Sequence, residues 1–281
     1  MNLEALDLEA EYNNRARVPE HPAILAQMDI DAAAYRAKSP AAEYGLSYGG
    51  SERQVIDLFP ARAGVQSPLA LFIHGGYWRT NHWSSYSHMA SSLNGHGIDI
   101  AVTGYDLCPQ VSIATIIEQM RAAVLFLWRK RQQRMLVFGH SAGGHLAACM
   151  LATDWSKFGA PADLVPCAYS ISGVFDLTLL TQVSMNQELR LDETEAKKVS
   201  PLFWPVPKGR VLDAVVGGAE SSEFIRQSRI IAEGWKGKAQ TRFEEISGAN
   251  HFTVIGPLQD AESAMVKRLV ELAKQANARP L

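Results

Sequence analysis

The sequence predicts an α/β fold: a mostly parallel, twisted sheet with helices on both faces and one long insertion. Three observations predict it. Short, wholly apolar runs recur along the chain, as in "LALFI" (69–73) and "MLVFG" (135–139). Longer stretches with apolar residues at helical spacing separate them, as in "SIATIIEQMRAAVLFLWRKR" (112–131). Several apolar runs end directly in glycine, as in "HGG" and "VGG". Strands apolar throughout are buried on both faces, and helical crossovers then pair them in parallel. Right-handed crossovers bring the C-terminal ends of the strands to one edge, where ligand sites form.

Taken in order, residues 1–45 read as a helical segment, with "AILAQMDIDAAAYRA" its best helix. "RQVIDLFPA" reads as a strand, followed by the strands "LALFI" and "IDIAVTGY" (98–105). The stretch 112–131 is a helix with basic residues in its last turn, where they suit the helix dipole. "MLVFG" is a strand and "AGGHLAACMLATDW" a helix; "CAYSISGV" (167–174) is the next strand. The stretch 175–210 is long and amphipathic and breaks the alternation, so it reads as an insertion over the sheet edge, either a lid or pocket wall or a plain surface excursion. "VLDAVVGG" (211–218) and "TRFEEIS" (241–247) are the last strands, each followed by a helix. With no repeat, low-complexity tract or linker, residues 1–281 read as one domain.

Composition narrows the function. Of 281 residues, 47% are hydrophobic and 20% charged, with net charge -2, which argues against a nucleic-acid or anionic-membrane partner. No apolar run is long enough to span a bilayer, and the acidic start does not read as an export signal. The three scattered cysteines suit a reducing cytoplasm. There is no HExxH or CxxC, and His140 and His145 are wrongly spaced for one helical face, so no metal or other cofactor is expected. The expected partner is a small molecule; a homodimer is left open.

The chemistry centres on "GHSAG" (139–143), a G-x-S-x-G pattern at a strand-to-helix junction. A serine there is lifted clear of the sheet by a sharp turn that leaves no room for side chains at 139 and 143. Ser141 is therefore the expected nucleophile. A serine hydroxyl needs a base to take its proton. Only His145 and His251 follow Ser141, and His145 lies one turn along the same helix, so His251 is the expected base. The acid that orients the base usually follows the penultimate strand. Asp213 sits near the start of its strand, at the wrong edge. Glu220 lies just past that strand's end and is the expected acid; Glu223 lies a turn further on, and Asp176 is the rival. Amides of Gly76, Tyr77 and Ala142 are the expected oxyanion donors, with Gly75 shaping the turn and His74 a structural hydrogen-bonder. Trp78, Trp83, Tyr105 and Phe175, together with Tyr77, are candidates to stack on an aromatic substrate.

The motifs "HGGYW", "YDLCP", "GHSAGGHLAA" and "VGGAESSEFIRQS" followed by "GANHF" together resemble the kynurenine formamidase (arylformamidase) branch of the α/β-hydrolase family. "EYNNRARVP" and "YGGSERQVIDLFPA" fit the same branch, so the resemblance covers roughly residues 10–275. It implies the α/β-hydrolase fold, with 175–210 as the insertion after its sixth strand. It also implies cofactor-independent hydrolysis of an aryl formamide such as N-formylkynurenine, with Ser141 as nucleophile and His251 as base. The family commonly has aspartate where Glu220 stands. Bacterial relatives of this branch look like short-chain esterases, so a carboxylesterase or another arylamide or carbamate hydrolase is the alternative.

Overall fold

Eight strands form one sheet: β1 (Glu43–Ser47), β2 (Val55–Phe59), β3 (Leu69–Ile73), β4 (Asp99–Thr103), β5 (Met135–His140), β6 (Cys167–Ile171), β7 (Val211–Gly217) and β8 (Gln240–Ile246). The computed structural model describes residues 6–62, 66–206 and 208–278. The strand order is β1-β2-β4-β3-β5-β6-β7-β8. β2 runs antiparallel to β1 and β4, and β3 to β8 are parallel. This is the α/β-hydrolase sheet, with the nucleophile candidate at the end of its fifth strand.

The helices are α1 (Leu8–Tyr12), α2 (Asn14–Arg17), α3 (His21–Ala37), α4 (Ser91–Gly95), α5 (Ile113–Arg131), α6 (Ala142–Ala152), α7 (Asn186–Leu189), α8 (Glu193–Lys198), α9 (Ser222–Trp235) and α10 (Ala264–Asn277). Every residue of β3 to β7 is buried. Their side chains alternate between two cores. Leu69, Leu71 and Ile73 meet residues of α5, α6 and α9 on one face, whereas Ala70 and Phe72 meet α4 and α10 on the other. Burying one such leucine or phenylalanine contributes roughly 1.5–3 kcal/mol. Phe72 and Phe138 meet edge to face at 5.1 Å across neighbouring strands.

Local chemistry sets the helix ends. Ser112 caps α5, accepting from the Thr115 amide at 3.2 Å, and Arg129, Lys130 and Arg131 fill its last turn. Arg131 pairs with the buried Asp99 of β4. Ser221 caps α9 and Ser263 caps α10. The buried Arg210 sends its guanidinium to the carbonyls of Leu151 (2.9 Å), Val165 (2.7 Å) and Ala162 (2.5 Å), tying the start of β7 to the end of α6 and the segment before β6.

The N-terminal segment differs from the sequence reading at its end. Helix ends at Ala37, and the tail of the 1–45 segment is the edge strand β1. The insertion after β6 consists of short helical turns, α7 and α8 among them, anchored on the core by Leu177, Leu180, Leu189, Ala196 and Val199. Among the described residues no helix is long and apolar enough to cross a membrane. Cys108, Cys149 and Cys167 are all buried.

Candidate active site

The strands deliver their C-terminal ends side by side. Ile73 pairs with Gly139, His140 with Ile171, Ile171 with Val215, and Gly217 with Ile246. The segments that leave these strand ends carry Ser141, Glu220 and His251.

Ser141 follows β5 and precedes α6 with φ 57° and ψ -119°. A non-glycine residue at positive φ costs on the order of 1–3 kcal/mol, held here by surrounding structure. The Ser141 amide donates to the Ile171 carbonyl at 2.8 Å, and its own carbonyl accepts from Gly144 and His145. The flanking glycines are steric requirements. A Cβ on Gly143 would lie 1.9 Å from the Ile73 carbonyl oxygen, and one on Gly139 would lie 2.4 Å from the Gly143 oxygen.

His251 lies in the loop after β8. Its Nε2 is 3.1 Å from Ser141 Oγ, and its Nδ1 is 2.6 Å from Glu220 Oε2. An ionised carboxylate only accepts, so Nδ1 carries the ring proton and Nε2 presents a lone pair to the serine. All three side chains are buried or nearly so. Phe224 and Phe252 pack edge-on against the imidazole at 4.7 and 5.8 Å. His140 donates from Nε2 to the His251 carbonyl at 2.9 Å, fixing the loop that carries the base. Burial, and then the nearby His251, keep the His140 ring neutral well below the usual range.

The other acids are occupied elsewhere. Asp176 accepts from the Thr178 amide and hydroxyl at 3.0 and 2.6 Å, bracing the start of the insertion. Glu223 accepts from Tyr12 and Gln227 and pairs with Arg226. Asp213 pairs with Arg268. His145 is buried and donates from Nε2 to the Val199 carbonyl at 2.7 Å, with burial lowering its pKa to about 4. His74 is buried between Tyr105 and Tyr86, stacked at 4.3 and 5.8 Å, its pKa pushed down to about 3 by burial.

The loop after β3 supplies backbone. Gly76 has φ 111° and Tyr77 φ 50°. Among the described residues the amides of Gly76 and Tyr77 find no protein acceptor. Ala142 opens α6, where the first amides have no partner inside the helix. The Gly76 carbonyl is held by the amides of Arg79 and Thr80, and the Tyr77 hydroxyl donates to the Tyr12 carbonyl at 2.7 Å.

A cavity opens above Ser141 and His251. Leu25, Met28, Tyr86, Phe252 and Ile255 give it an apolar lining; Asn13, Asn14, Arg15, Thr80 and Asn81 give it a polar one. Of the five aromatic candidates read from sequence, Tyr77 lines the cavity and the other four do not. Trp78 is wholly buried against the edge of His145, Phe175 is core, Tyr105 is buried under His74, and Trp83 donates to Asp57 beside His82. Their sequence positions are close to the site, but their rings complete the core and brace the loop after β3. The rings that do line the cavity are Tyr12, Tyr77, Tyr86 and Phe252.

Sequence reasoning also missed the wall built by the N-terminal segment. Glu11 accepts from the Ser222 hydroxyl and the Glu223 amide, both at 2.8 Å, and Glu9 accepts from the Ser184 amide and hydroxyl. These contacts seat α1 and α2 against α9 and the insertion, so that residues 9–15 close one side of the cavity. The aromatic and amide-rich "EYNN" was the available signal.

Comparison with known proteins agrees with this fold. A kynurenine formamidase from Salmo salar is 29% identical over 239 residues, covering 81% of this chain and 80% of its own. The solved structure of "a putative thioesterase" from a Silicibacter species superposes with a TM-score of 0.82 at 32% identity, covering 94% of this chain and 98% of its own. An esterase from Pyrobaculum calidifontis shares the fold, with a TM-score of 0.71 at 17% identity over 98% of this chain and 95% of its own. The BD-FAE family model matches residues 56–202, and the chain thus belongs to the BD-FAE family of α/β-hydrolases.

Proposed function

We propose that the protein is a serine hydrolase that cleaves an aryl formamide resembling N-formylkynurenine through an acyl-enzyme. One observation carries the hydrolase reading: the continuous hydrogen-bonded line Glu220–His251–Ser141, at 2.6 and 3.1 Å. Ser141 Oγ attacks the formyl carbonyl while His251 Nε2 takes its proton. Glu220 holds the ring tautomer and stabilises the imidazolium that forms. The amides of Gly76, Tyr77 and Ala142 receive the oxyanion. His251 then protonates the leaving arylamine nitrogen, the C–N bond breaks, and water attacks the formyl-enzyme with His251 again as base. Formate leaves and the serine is restored.

The substrate assignment rests on the salmon formamidase likeness and on a cavity with apolar and polar linings, which suits an aryl group bearing a charged tail. A second reading, a carboxylesterase or thioesterase, is favoured by the name of the Silicibacter relative. The buried cysteines fit a reducing cytoplasm. The deciding experiment compares kcat/KM for N-formylkynurenine and p-nitrophenyl acetate on the purified protein, with Ser141→Ala as the blank. Faster turnover of the formamide is expected. Negligible formamide cleavage beside rapid ester cleavage overturns the substrate, and activity in Ser141→Ala overturns the nucleophile.

A further inference from the structure

The line of hydrogen bonds does not stop at Glu220. Its Oε2 faces His251, and its Oε1 accepts from two donors: the Ser172 hydroxyl at 2.5 Å and the Gly217 amide at 2.8 Å. Ser172 is the residue immediately after β6, wholly buried, with its amide donated to the Val215 carbonyl of β7 at 2.7 Å. Its φ is 53°, a left-handed conformation that glycine adopts at no cost and serine at some. The side chain therefore sits at a strained position with its one proton directed at a carboxylate, which can only accept.

We infer that Ser172 is a positioning residue that acts through Glu220, making the catalytic line a run of four side chains: Ser172, Glu220, His251 and Ser141. The inference rests on reading Glu220 as the triad acid. The reason is geometric. The last torsion of a glutamate is broad and nearly unrestrained. Glutamate also has one more rotatable side-chain bond than aspartate, so at this position the carboxylate has more orientations open to it and its plane needs an outside anchor. The Gly217 amide gives one donor; Ser172, arriving from the neighbouring strand, gives a second, and together they occupy Oε1 and leave Oε2 for the imidazole. Donors on a carboxylate also favour its ionised form and spread its charge. The other titratable groups around the pair are His140, Tyr77 and Glu223. Burial keeps His140 neutral, burial and the Glu220 charge keep Tyr77 protonated, and Glu223 is paired with Arg226.

The test uses two variants and a double-mutant cycle on the full chain, read with p-nitrophenyl acetate or N-formylkynurenine, whichever the wild type turns over. Ser172→Ala removes the hydroxyl and keeps the strain. Ser172→Gly removes the hydroxyl and relieves the strain, so its Tm stays level or rises. Both are expected to lose about tenfold or more in kcat with KM little changed, the loss expected for one hydrogen bond to a charged group. With one donor fewer, the carboxylate concentrates its charge on the His251 Nδ1–H and favours the imidazolium. The acid limb of kcat/KM therefore moves to higher pH. In a Glu220→Ala background, Ser172→Ala is expected to cost nothing further, because its effect passes through the missing carboxylate. Wild-type kcat in Ser172→Gly, an unmoved acid limb in both variants, or losses that multiply in the double variant each overturn the inference. Turnover by Ser141→Ala overturns the triad itself, which separates failure of that reading from failure of this one.

Discussion

Replacing Glu220 by glutamine changes one oxygen to an NH2 group and almost nothing in volume, yet the surroundings predict a severe defect. Oε1 is held by two donors, Ser172 and the Gly217 amide, so the amide oxygen must stay there. The NH2 group is then forced into the position 2.6 Å from His251 Nδ1. It can only donate, so Nδ1 must become the acceptor and the ring proton moves to Nε2. That proton would lie between Nε2 and Ser141 Oγ, 3.1 Å apart, and the ring could no longer receive the serine's proton. A wrong tautomer of this kind lowers kcat about 10⁴-fold in serine triads, or about 5.5 kcal/mol of barrier. The assay is steady-state hydrolysis of p-nitrophenyl acetate by wild type, Glu220→Gln and Asp176→Asn, with Tm recorded for each. The expected result is a loss of about 10³- to 10⁴-fold in kcat for Glu220→Gln at near wild-type Tm, and a small effect for Asp176→Asn. Activity of Glu220→Gln within about tenfold of wild type would refute the reasoning, most clearly if Asp176→Asn were crippled instead.

Two further predictions concern the frame of the site. Gly143→Ala would place a methyl group 1.9 Å from the Ile73 carbonyl oxygen, backbone that cannot swing aside, so a loss of about 3 kcal/mol or more is expected by urea denaturation; unchanged stability would contradict the close approach. Acid should destabilise the fold through buried neutral histidines. The His145 pKa is lowered from 6.5 to about 4 by burial, so the unfolded chain binds the extra proton between those values and stability rises with pH across that window. It is fully present above pH 6.5 and falls on acidification, and Tm measured from pH 7 to pH 4 should decline less steeply in His145→Gln than in wild type.

Much of the fold was legible because burial of β3 to β7 on both faces leaves wholly apolar strands, a signal that needs no partner to be read. β1 left no such signal. Glu43, Tyr44, Gly45 and Ser47 are all exposed, and the strand exists because it pairs with β2 along the sheet edge. Chain order and the position of Glu220 just beyond β7 pointed to the same three side chains that the structure brings into hydrogen-bond contact. The glycines of "GHSAG" carried their own steric reason. The substrate cavity was far less legible. Its walls come from residues 9–15, the loop after β3, the insertion and the loop after β8, and no local pattern reports that these meet. Among the aromatics near the motifs Tyr77 lines the cavity, but hydrophobic rings next to a site are claimed first by the core, as Trp78 and Phe175 are.

The clasp between Glu11 and the start of α9 joins residues 211 and 212 positions apart. A chain growing from its N-terminus makes Glu11 long before the groups that receive it, so this side of the binding chamber is walled only after α9 has been synthesised and has folded. A molecule nicked within the first seventeen residues would keep its reacting groups in register but expose them through a wide mouth. Such a protein is expected to admit bulkier compounds to Ser141 than the intact one does.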